Sequence, residues 1–164
     1  CAVVMFQEEF AQRLSARPGD ALYCRLSVNT QLLAKVTQLI KVGRNNFRPP
    51  PKVDSRVVRI ELKNPPPPVN FVEWDGLVKL CFNRKNKTLR SLFTSKKVIA
   101  DLETSWKTFA ALRGAPPAET PDVKAMVEEV VSQERFDGKR PAKMDQDDFL
   151  ALLVAFNAKG LHFT

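Results

Sequence analysis

The sequence predicts an α/β unit followed by a small helical domain. Apolar, β-branched runs alternate with helical stretches over residues 1–62, prolines crowd residues 63–69, and apolar residues recur at helical spacing over residues 70–164. A length of 164 residues suits one domain, or one and a fraction. We therefore expect two structural parts joined by a stiff connection.

The first part opens with the apolar run Cys1-Ala-Val-Val-Met-Phe6, which has no polar alternation. This pattern is typical of a strand buried on both faces, and such a strand needs neighbours on both sides. Either it lies at an unusual sheet edge or its sheet continues upstream, and we favour the second interpretation. A helix over residues 7 to about 15 is expected next, with Phe10 and Leu14 on one face. A turn at residues 17–20 follows.

Two more strands are predicted in this part. A helix over about residues 27–35 leads into a strand at 36–42, and a loop at 43–52 precedes a strand at 53–62. Apolar residues alternate along the last strand and are expected to share one side: Val58, Ile60 and Leu62. Arg59 and Glu61 are expected on the other side.

The segment Lys63-Asn-Pro-Pro-Pro-Pro68 should form a stiff polyproline linker. Beyond it we predict four helices from their start signals, which are Asn70, Ser95, Thr120-Pro121 and Asp145. Glu73, three residues after Asn70, suggests a capping box, and Gly160 should end the last helix. The apolar positions expected to form the core are Trp74, Leu77, Val78, Cys81, Phe82, Val98, Ile99, Leu102, Val123, Met126, Val127, Val130, Val131, Phe149, Leu152, Leu153 and Phe156.

The scarcity of certain side chains excludes several classes of site. His162 is the only histidine, which makes a Cys/His zinc site or a histidine-based triad hard to build, and we expect no metal. Cys1, Cys24 and Cys81 are few, odd in number and far apart, which suits a reducing compartment. No run approaches the ~18–20 apolar residues of a membrane span, and we expect no membrane partner.

Positive charge is concentrated in the first hundred residues. Residues 1–100 hold 18 Lys/Arg against 7 Asp/Glu, a net charge of +11, whereas residues 101–164 hold 8 against 11, a net charge of −3. Residues 76–100 contain seven basic residues and no acidic one. Such a distribution favours polyanion binding. The alternative is a solvated surface that only aids solubility.

The loop Asn45-Asn-Phe47-Arg-Pro-Pro-Pro-Lys52 could carry a nucleic-acid contact. Prolines fix φ and restrict the backbone, so the residues just before them have few conformations. The ring of Phe47 could stack a nucleobase while Arg48 and Lys52 meet phosphates. Alternatively, Phe47 only fills the edge of the sheet.

A second candidate is the run Phe82-Asn-Arg-Lys-Asn-Lys-Thr-Leu-Arg90. Phe82 and Leu89 could anchor it while its basic side chains point outward and contact phosphates. Its expected RNA-binding residues are Arg84, Lys85, Asn86, Lys87 and Arg90. The alternative is a solvated turn.

A third candidate is Tyr23-Cys-Arg-Leu-Ser27, where Arg25 could touch RNA or play a structural role, and we favour the structural role. No glycine-rich strand-to-helix turn and no Walker loop are present. We therefore expect no cofactor-binding residue in this chain. Its carboxylates are not paired in a way that suits acid/base catalysis, so we also expect no catalytic residue.

These segments together resemble the KsgA-type ribosomal RNA adenine N6,N6-dimethyltransferases, in their eukaryotic nucleolar branch. The similarity extends over nearly the whole chain and includes Phe6-Gln-Glu-Glu-Phe10, Arg17-Pro-Gly-Asp20, Val42-Gly-Arg-Asn-Asn-Phe-Arg-Pro-Pro-Pro51, Lys63-Asn-Pro-Pro-Pro-Pro68, Glu73-Trp-Asp-Gly76, Arg84-Lys-Asn-Lys-Thr88 and Gly160-Leu-His-Phe-Thr164. The resemblance implies an α/β remnant of a Rossmann-like S-adenosylmethionine methyltransferase domain at residues 1–62. A proline-rich linker at 63–69 and a helical rRNA-binding domain at 70–164 follow.

The resemblance also implies a function. Family members transfer methyl groups to the N6 atoms of two adjacent adenosines near the 3′ end of small-subunit rRNA, and the target base is thought to be flipped out. Phe47 matches the position whose ring stacks on that adenine, and residues 84–90 match the RNA-gripping stretch. The glycine-rich donor loop and the Asn-Leu-Pro-Tyr-type motif do not occur in residues 1–164. We therefore expect a C-terminal half that is inactive alone.

Two further expectations and two alternatives accompany this interpretation. We expect a monomer located in the nucleolus or nucleus, with the pre-ribosome as partner. A non-catalytic assembly or RNA-binding module is the first alternative, and a DNA-binding transcription factor on the same scaffold is the second.

Overall fold

The computed structural model describes residues 1–114 and 121–163, and the chain divides into two units, Cys1–Pro68 and Val69–Thr164. The predicted linker at residues 63–69 contains this division. At its start, the backbone N–H of Lys63 still donates to the carbonyl of Leu33 at 2.9 Å. The first unit consists of β1 (Ala2–Gln7), α1 (Glu8–Ser15), α2 (Arg25–Leu33), β2 (Ala34–Val42) and β3 (Ser55–Leu62).

The first unit is built on a three-stranded antiparallel sheet in the order β1-β3-β2. Val58 of the central strand faces Val4 and Gln38 and is fully buried. On this face Gln38 donates to the hydroxyl of Ser15, the last residue of α1. The helices therefore cover the Val58 face of the sheet. The helix α2 passes directly into β2, since the N–H of Ala34 closes the last helical turn onto Thr30.

The expectation that the first strand is buried on both faces is wrong for the described residues. Val3 and Met5 are 57% and 47% exposed, because β1 lies at the sheet edge and both side chains point away from the helices. Ile40 of β2, which pairs with Val57 of the central strand as Met5 does from the other side, is 60% exposed on the same face. Leu62 is also 79% exposed, so the predicted apolar side of β3 fails at its last residue, where the strand ends.

The first helix and its turn largely follow the prediction. Leu14 is buried, but Phe10 is 41% exposed and packs its ring on Phe6 with centroids 5.0 Å apart. The turn forms through the N–H of Asp20 donating to the carbonyl of Arg17 at 3.0 Å, with Gly19 at φ 95° between them. That positive φ favours glycine.

The second unit consists of α3 (Phe71–Phe82), α4 (Leu89–Phe93), α5 (Lys96–Leu112), α6 (Val123–Val131) and α7 (Gln146–Ala158), with a 3-10 turn at Pro141–Lys143. Aromatic residues centre its core. The rings of Trp74 and Phe149 meet edge to face at 6.3 Å, and Phe93 packs on Phe156 at 4.8 Å. All four side chains are fully buried. The predicted apolar stripes of α3, α6 and α7 form this core, with Phe82 and Met126 half-buried.

The start signals differ in accuracy. Asn70 accepts from the N–H groups of Val72 and Glu73 at 3.0 and 3.4 Å, and Asp145 accepts from Asp148 at 2.8 Å, as capping residues do. Ser95 precedes a helix of 17 residues but does not cap it with its side chain, because its hydroxyl donates back to the carbonyl of Leu92. The helix predicted to start at Thr120-Pro121 is α6, and Asp122 caps it. Thr120 lies outside the described residues.

The segment after α7 folds back onto the unit. Gly160 adopts φ 73° and ends the helix, and Leu161 and Phe163 are buried behind it. The ring Nδ1 of His162 lies 2.8 Å from a carboxylate oxygen of Glu73. The carboxylate predicted to complete a capping box therefore binds His162 instead.

Candidate nucleic-acid interface

The loop that carries Phe47 is closed at its base by Asp54. β2 ends at Val42, and a 3-10 turn follows at Arg44–Asn46. The carboxylate of Asp54 then accepts the backbone N–H of Arg44 at 3.0 Å. The guanidinium of Arg44 donates in turn to the carbonyl of Lys52 at 3.3 Å. These bonds join the two ends of the loop, which contains no helix or strand after that 3-10 turn.

Phe47 is half-buried near the start of this loop, and its N–H donates to the carbonyl of Arg44 at 3.3 Å. The following peptide, Arg48-Pro49, is cis. Arg48 and Lys52 are exposed, and neither side chain forms an ion pair with any described residue. One aromatic ring and two cations without ion-pair partners therefore lie on the same loop, whose ends are joined by hydrogen bonds.

A charged network stands at the base of the loop. Lys41 lies 3.4 Å from Asp54 and 3.2 Å from Glu8, and Arg56 lies 2.9 Å from Glu8. The hydrogen bond from the Arg44 N–H, and then that from Lys41, hold the pKa of Asp54 below its usual value. Hydrogen bonds from Arg56 and Lys41 lower the pKa of Glu8 in the same way. The loop is therefore tied to both β3 and the start of α1.

The second candidate surface is the basic loop of the helical unit, residues 83–88 between α3 and α4. Leu89 is fully buried and Phe82 packs on Phe149 with centroids 5.9 Å apart, so both ends are anchored as expected. Arg84, Asn86 and Lys87 are exposed and Lys85 is half-buried. Neither Arg84 nor Lys87 forms an ion pair with any residue that the structure describes.

A second loop, residues 139–144, holds the basic loop in place. The N–H of Ala142 donates to the carbonyl of Lys85 at 3.0 Å, and the N–H of Leu89 donates to the carbonyl of Lys139 at 2.9 Å. The guanidinium of Arg140 donates to the carbonyl of Asn86. The basic loop and the residue after it are thus fixed by three bonds to a segment at least fifty residues away in sequence.

The supporting loop carries two further surface cations, which the sequence alone does not connect with the basic loop. Arg140 and Lys143 are both exposed on the supporting loop. The signal was present in the run Gly138-Lys-Arg-Pro-Ala-Lys143, but nothing in the sequence links that run to residues 83–88. Arg90 is exposed, and its guanidinium donates one hydrogen bond to the hydroxyl of Ser132 at 2.7 Å.

The structure thus places the selected residues on two surfaces, one in each unit. Phe47, Arg48 and Lys52 share the loop between β2 and β3, and residues 84–87 share the basic loop, to which Arg140 is hydrogen-bonded from the supporting loop. In the third candidate, Tyr23 is buried and Arg25 is the exposed first residue of α2. No group of acidic, cysteine or histidine side chains that could hold a metal ion occurs in the described part of the chain. No helix there is long and apolar enough to cross a bilayer.

The chain resembles proteins of one family. A protein-family model described as "Ribosomal RNA adenine dimethylase" matches residues 1–129. The chain is 56% identical over 163 residues to a "Probable dimethyladenosine transferase" of Drosophila melanogaster, covering 99% of this chain and 53% of that protein. It is 58% identical over 164 residues to a protein of the same description from Dictyostelium discoideum, covering 99% and 52%. The chain therefore spans about half the length of these curated relatives.

Solved structures show the same fold. A crystal structure of a dimethyladenosine transferase from Plasmodium falciparum superposes with a TM-score of 0.92 at 43% identity, over 100% of this chain and 59% of that one. The 23S rRNA methyltransferase ErmE superposes with a TM-score of 0.55 at 23% identity, over 95% and 54%, and supports the fold alone. The predicted fold class, part of a Rossmann-like methyltransferase domain followed by a small helical domain, is confirmed.

Proposed function

Because the chain belongs to the ribosomal RNA adenine dimethylase family, we propose that it is the C-terminal half of an 18S rRNA adenine N6,N6-dimethyltransferase. The whole enzyme dimethylates two adjacent adenosines near the 3′ end of small-subunit rRNA and assists small-subunit biogenesis. Residues 1–164 supply RNA binding and part of the pocket for the target base. The observation that carries the proposal is the braced loop that presents Phe47 beside Arg48 and Lys52.

Phe47 serves as the stacking platform for the target adenine. A base whose exocyclic amine must react has to leave its stack, and an aromatic face offsets part of the lost stacking energy. The bond between Asp54 and Arg44 limits the motion of the loop, so the ring needs little ordering when the base arrives. Arg48 and Lys52 then neutralise the phosphates on either side of the flipped nucleotide.

The basic loop of the helical unit provides affinity that does not depend on sequence. Arg84, Lys85, Lys87 and Arg90 contact phosphates, and Asn86 adds a neutral hydrogen-bonding side chain. Arg140 keeps the loop in shape through its bond to the carbonyl of Asn86. The assignment of phosphate contacts to residues 84–90 agrees with the charge of the chain, since positive charge is concentrated before residue 101 and the remainder has a net charge of −3.

S-adenosylmethionine supplies the methyl group in the proposed reaction, and residues 1–164 do not fit it. The strand-to-helix junction of this chain, where a donor would meet a helix N-terminus, has no glycine. It carries Glu8, whose carboxylate is already bound by Arg56 and Lys41. We propose that other parts of the enzyme bind the donor and that residues 1–164 alone do not methylate RNA.

A donor-binding and RNA-binding comparison tests the proposal. Residues 1–164 should bind a small-subunit rRNA hairpin with adjacent adenosines more tightly than duplex DNA of equal length, and should not bind S-adenosylmethionine. The full-length protein should bind both and incorporate methyl groups at N6. Preference for duplex DNA would favour the transcription-factor alternative, and a full-length protein that binds rRNA without methylating it would favour the assembly module. A nucleolar location, the pre-ribosome as partner and a monomeric state are part of the same proposal.

A further inference from the structure

A groove of about 420 Å³ lies between α3 and α5 of the helical unit and is closed by the segment after α7. Its apolar lining is formed by Leu80, Val98, Leu102, Phe109 and Phe163. This volume is within the range of sites that hold a small ligand or a few side chains. None of the residues assigned above to RNA binding lines it. The proposed function therefore leaves this groove without a role.

Two sequence segments that had no assigned role meet at this groove. Glu73-Trp-Asp-Gly76 belongs to α3, and Gly160-Leu-His-Phe163 follows α7. Gly76 lies in the interior of α3 and lines the groove. Glycine inside a helix is roughly 1 kcal/mol less favourable than alanine, so an open surface at this point is obtained at the expense of helix stability. A close approach by a ligand is one physical reason for such a choice.

One end of the groove is rigid. The ring of His162 stacks on Phe109 with centroids 4.3 Å apart and planes 25° apart, and its Nδ1 lies 2.8 Å from Glu73. The hydroxyl of Ser105 donates to the carbonyl of His162 at 2.9 Å. These contacts tie the segment after α7 to both helices, so the apolar lining is formed before any partner binds.

Asp101 decides which kind of partner suits the groove. Its carboxylate is exposed and lines the groove, and it forms no ion pair or side-chain hydrogen bond with any described residue, the ammonium of Lys97 one turn earlier included. A free carboxylate beside an apolar surface attracts a cationic side chain and repels phosphate. Aromatic and aliphatic walls favour a large apolar side chain next to that cation.

We propose that this groove binds a short segment of a partner protein that carries Arg or Lys next to Leu, Met or an aromatic residue. The apolar side chain enters between α3 and α5, and the basic side chain pairs with Asp101. The occupant is a protein, not RNA, because the groove presents negative charge whereas the basic loop presents positive charge. The site is independent of the RNA-binding surfaces described above.

The test uses residues 1–164 and fluorescein-labelled peptides in which Leu or Phe is spaced one to four residues from Arg. Matched peptides carry Glu in place of Arg. Fluorescence anisotropy measures affinity, and the ring protons of His162, the only histidine, report contact with the groove by NMR. Asp101→Lys reverses the charge in the groove. Glu103→Lys reverses a charge on α5 at a residue that does not line the groove, and serves as the control. Thr108→Trp blocks the groove without changing its charge.

Saturable binding of Arg-containing peptides with a shift of the His162 signals is the expected result. Asp101→Lys and Thr108→Trp should each weaken that binding by at least about tenfold, while Glu103→Lys and the circular dichroism of all variants stay unchanged. The proposal fails if no peptide of the set binds saturably or if both charge reversals weaken binding equally. A shift of the His162 signals by the rRNA hairpin would overturn it by assigning the groove to RNA.

Discussion

Asp54, the residue directly before β3, accepts the backbone N–H of Arg44 at 3.0 Å. Its carboxylate therefore holds the turn that follows β2. The bond matters because the nine residues between them contain three consecutive prolines and Phe47 but no regular strand. Prolines limit the conformations of the segment, and Asp54 fixes where its two ends meet. Backbone restriction and a single carboxylate together set the position of the ring.

Removing that carboxylate should loosen the loop. In Asp54→Ala, the Arg44 amide loses its acceptor, and Lys41 keeps Glu8 as its one ion-pair partner among the described residues, so amide hydrogen exchange at Arg44 should become faster. Glu61→Ala is the matched control, since Glu61 is an acidic residue of β3 that pairs only with Arg59 among the described residues. Unchanged exchange at Arg44 in Asp54→Ala would show that the prolines alone hold the loop.

Truncating the ring should affect methylation more than RNA affinity. Stacking of a base on an aromatic side chain contributes ~1–3 kcal/mol, or roughly 5- to 150-fold. Phe47→Ala in the full-length enzyme should therefore lower methyl transfer by that range while hairpin affinity, set mainly by phosphate contacts, changes little. Phe47→Tyr keeps an aromatic face and should retain most activity. Equal losses of transfer and affinity in Phe47→Ala would contradict the stacking role.

Removing cations from the basic loop should reduce the salt dependence of RNA binding. The triple variant Arg84→Ala, Lys85→Ala and Lys87→Ala should bind the hairpin more weakly. The slope of log K against log salt should become shallower by about 0.7–0.9 for each lost phosphate contact. The control variant replaces Lys107, Arg113 and Lys124, which removes the same charge elsewhere in the helical unit. If both triple variants change the slope equally, overall charge and not the loop governs binding.

The first unit should lose stability in acid through Glu8. Arg56 and then Lys41 hold its pKa below the ordinary value of 4.5. A carboxyl group with a lowered pKa stabilises the fold above that ordinary value, and the contribution disappears as the pH falls through the lowered pKa. The difference in free energy of unfolding between the parent protein and Glu8→Gln should be constant above about pH 5 and shrink below it. A difference independent of pH down to about pH 2 would argue against these ion pairs.

The three thiols should differ in reactivity. Complete burial raises the pKa of Cys81 above its ordinary value, so the thiol stays protonated and inaccessible, whereas Cys1 is exposed and Cys24 partly so. A thiol reagent should therefore label Cys1 and Cys24 in the folded chain and Cys81 only after denaturation. Cys81→Ala should leave labelling of the folded chain unchanged. Rapid labelling of Cys81 would mean that α3 opens readily.

Features that depend on nearby residues were accessible from the sequence. Asn70 and Asp145 cap their helices because the donors they bind lie two or three positions ahead, and Gly160 ends α7 for an equally local reason. The loop around Phe47 could be located because prolines restrict the chain wherever they stand. Such signals do not require knowledge of tertiary contacts.

Features that depend on distant residues were not accessible. Glu73 looked like half of a capping box because nothing in the sequence shows that His162 will lie 2.8 Å away. Arg140 was missed for the same reason, since its partner is a backbone carbonyl at Asn86. The apolar run of β1 suggested burial, but exposure depends on which elements cover the sheet, and hydropathy does not specify that.

The position of β1 has a practical consequence for handling this chain. Its six residues carry no charge, one of its edges has no strand partner among the described residues, and Val3 and Met5 are exposed beside that edge. Unprotected edges of this kind recruit further strands from other molecules. Concentrated samples are therefore expected to aggregate by pairing of this edge strand between molecules, and Val3→Lys should reduce that aggregation.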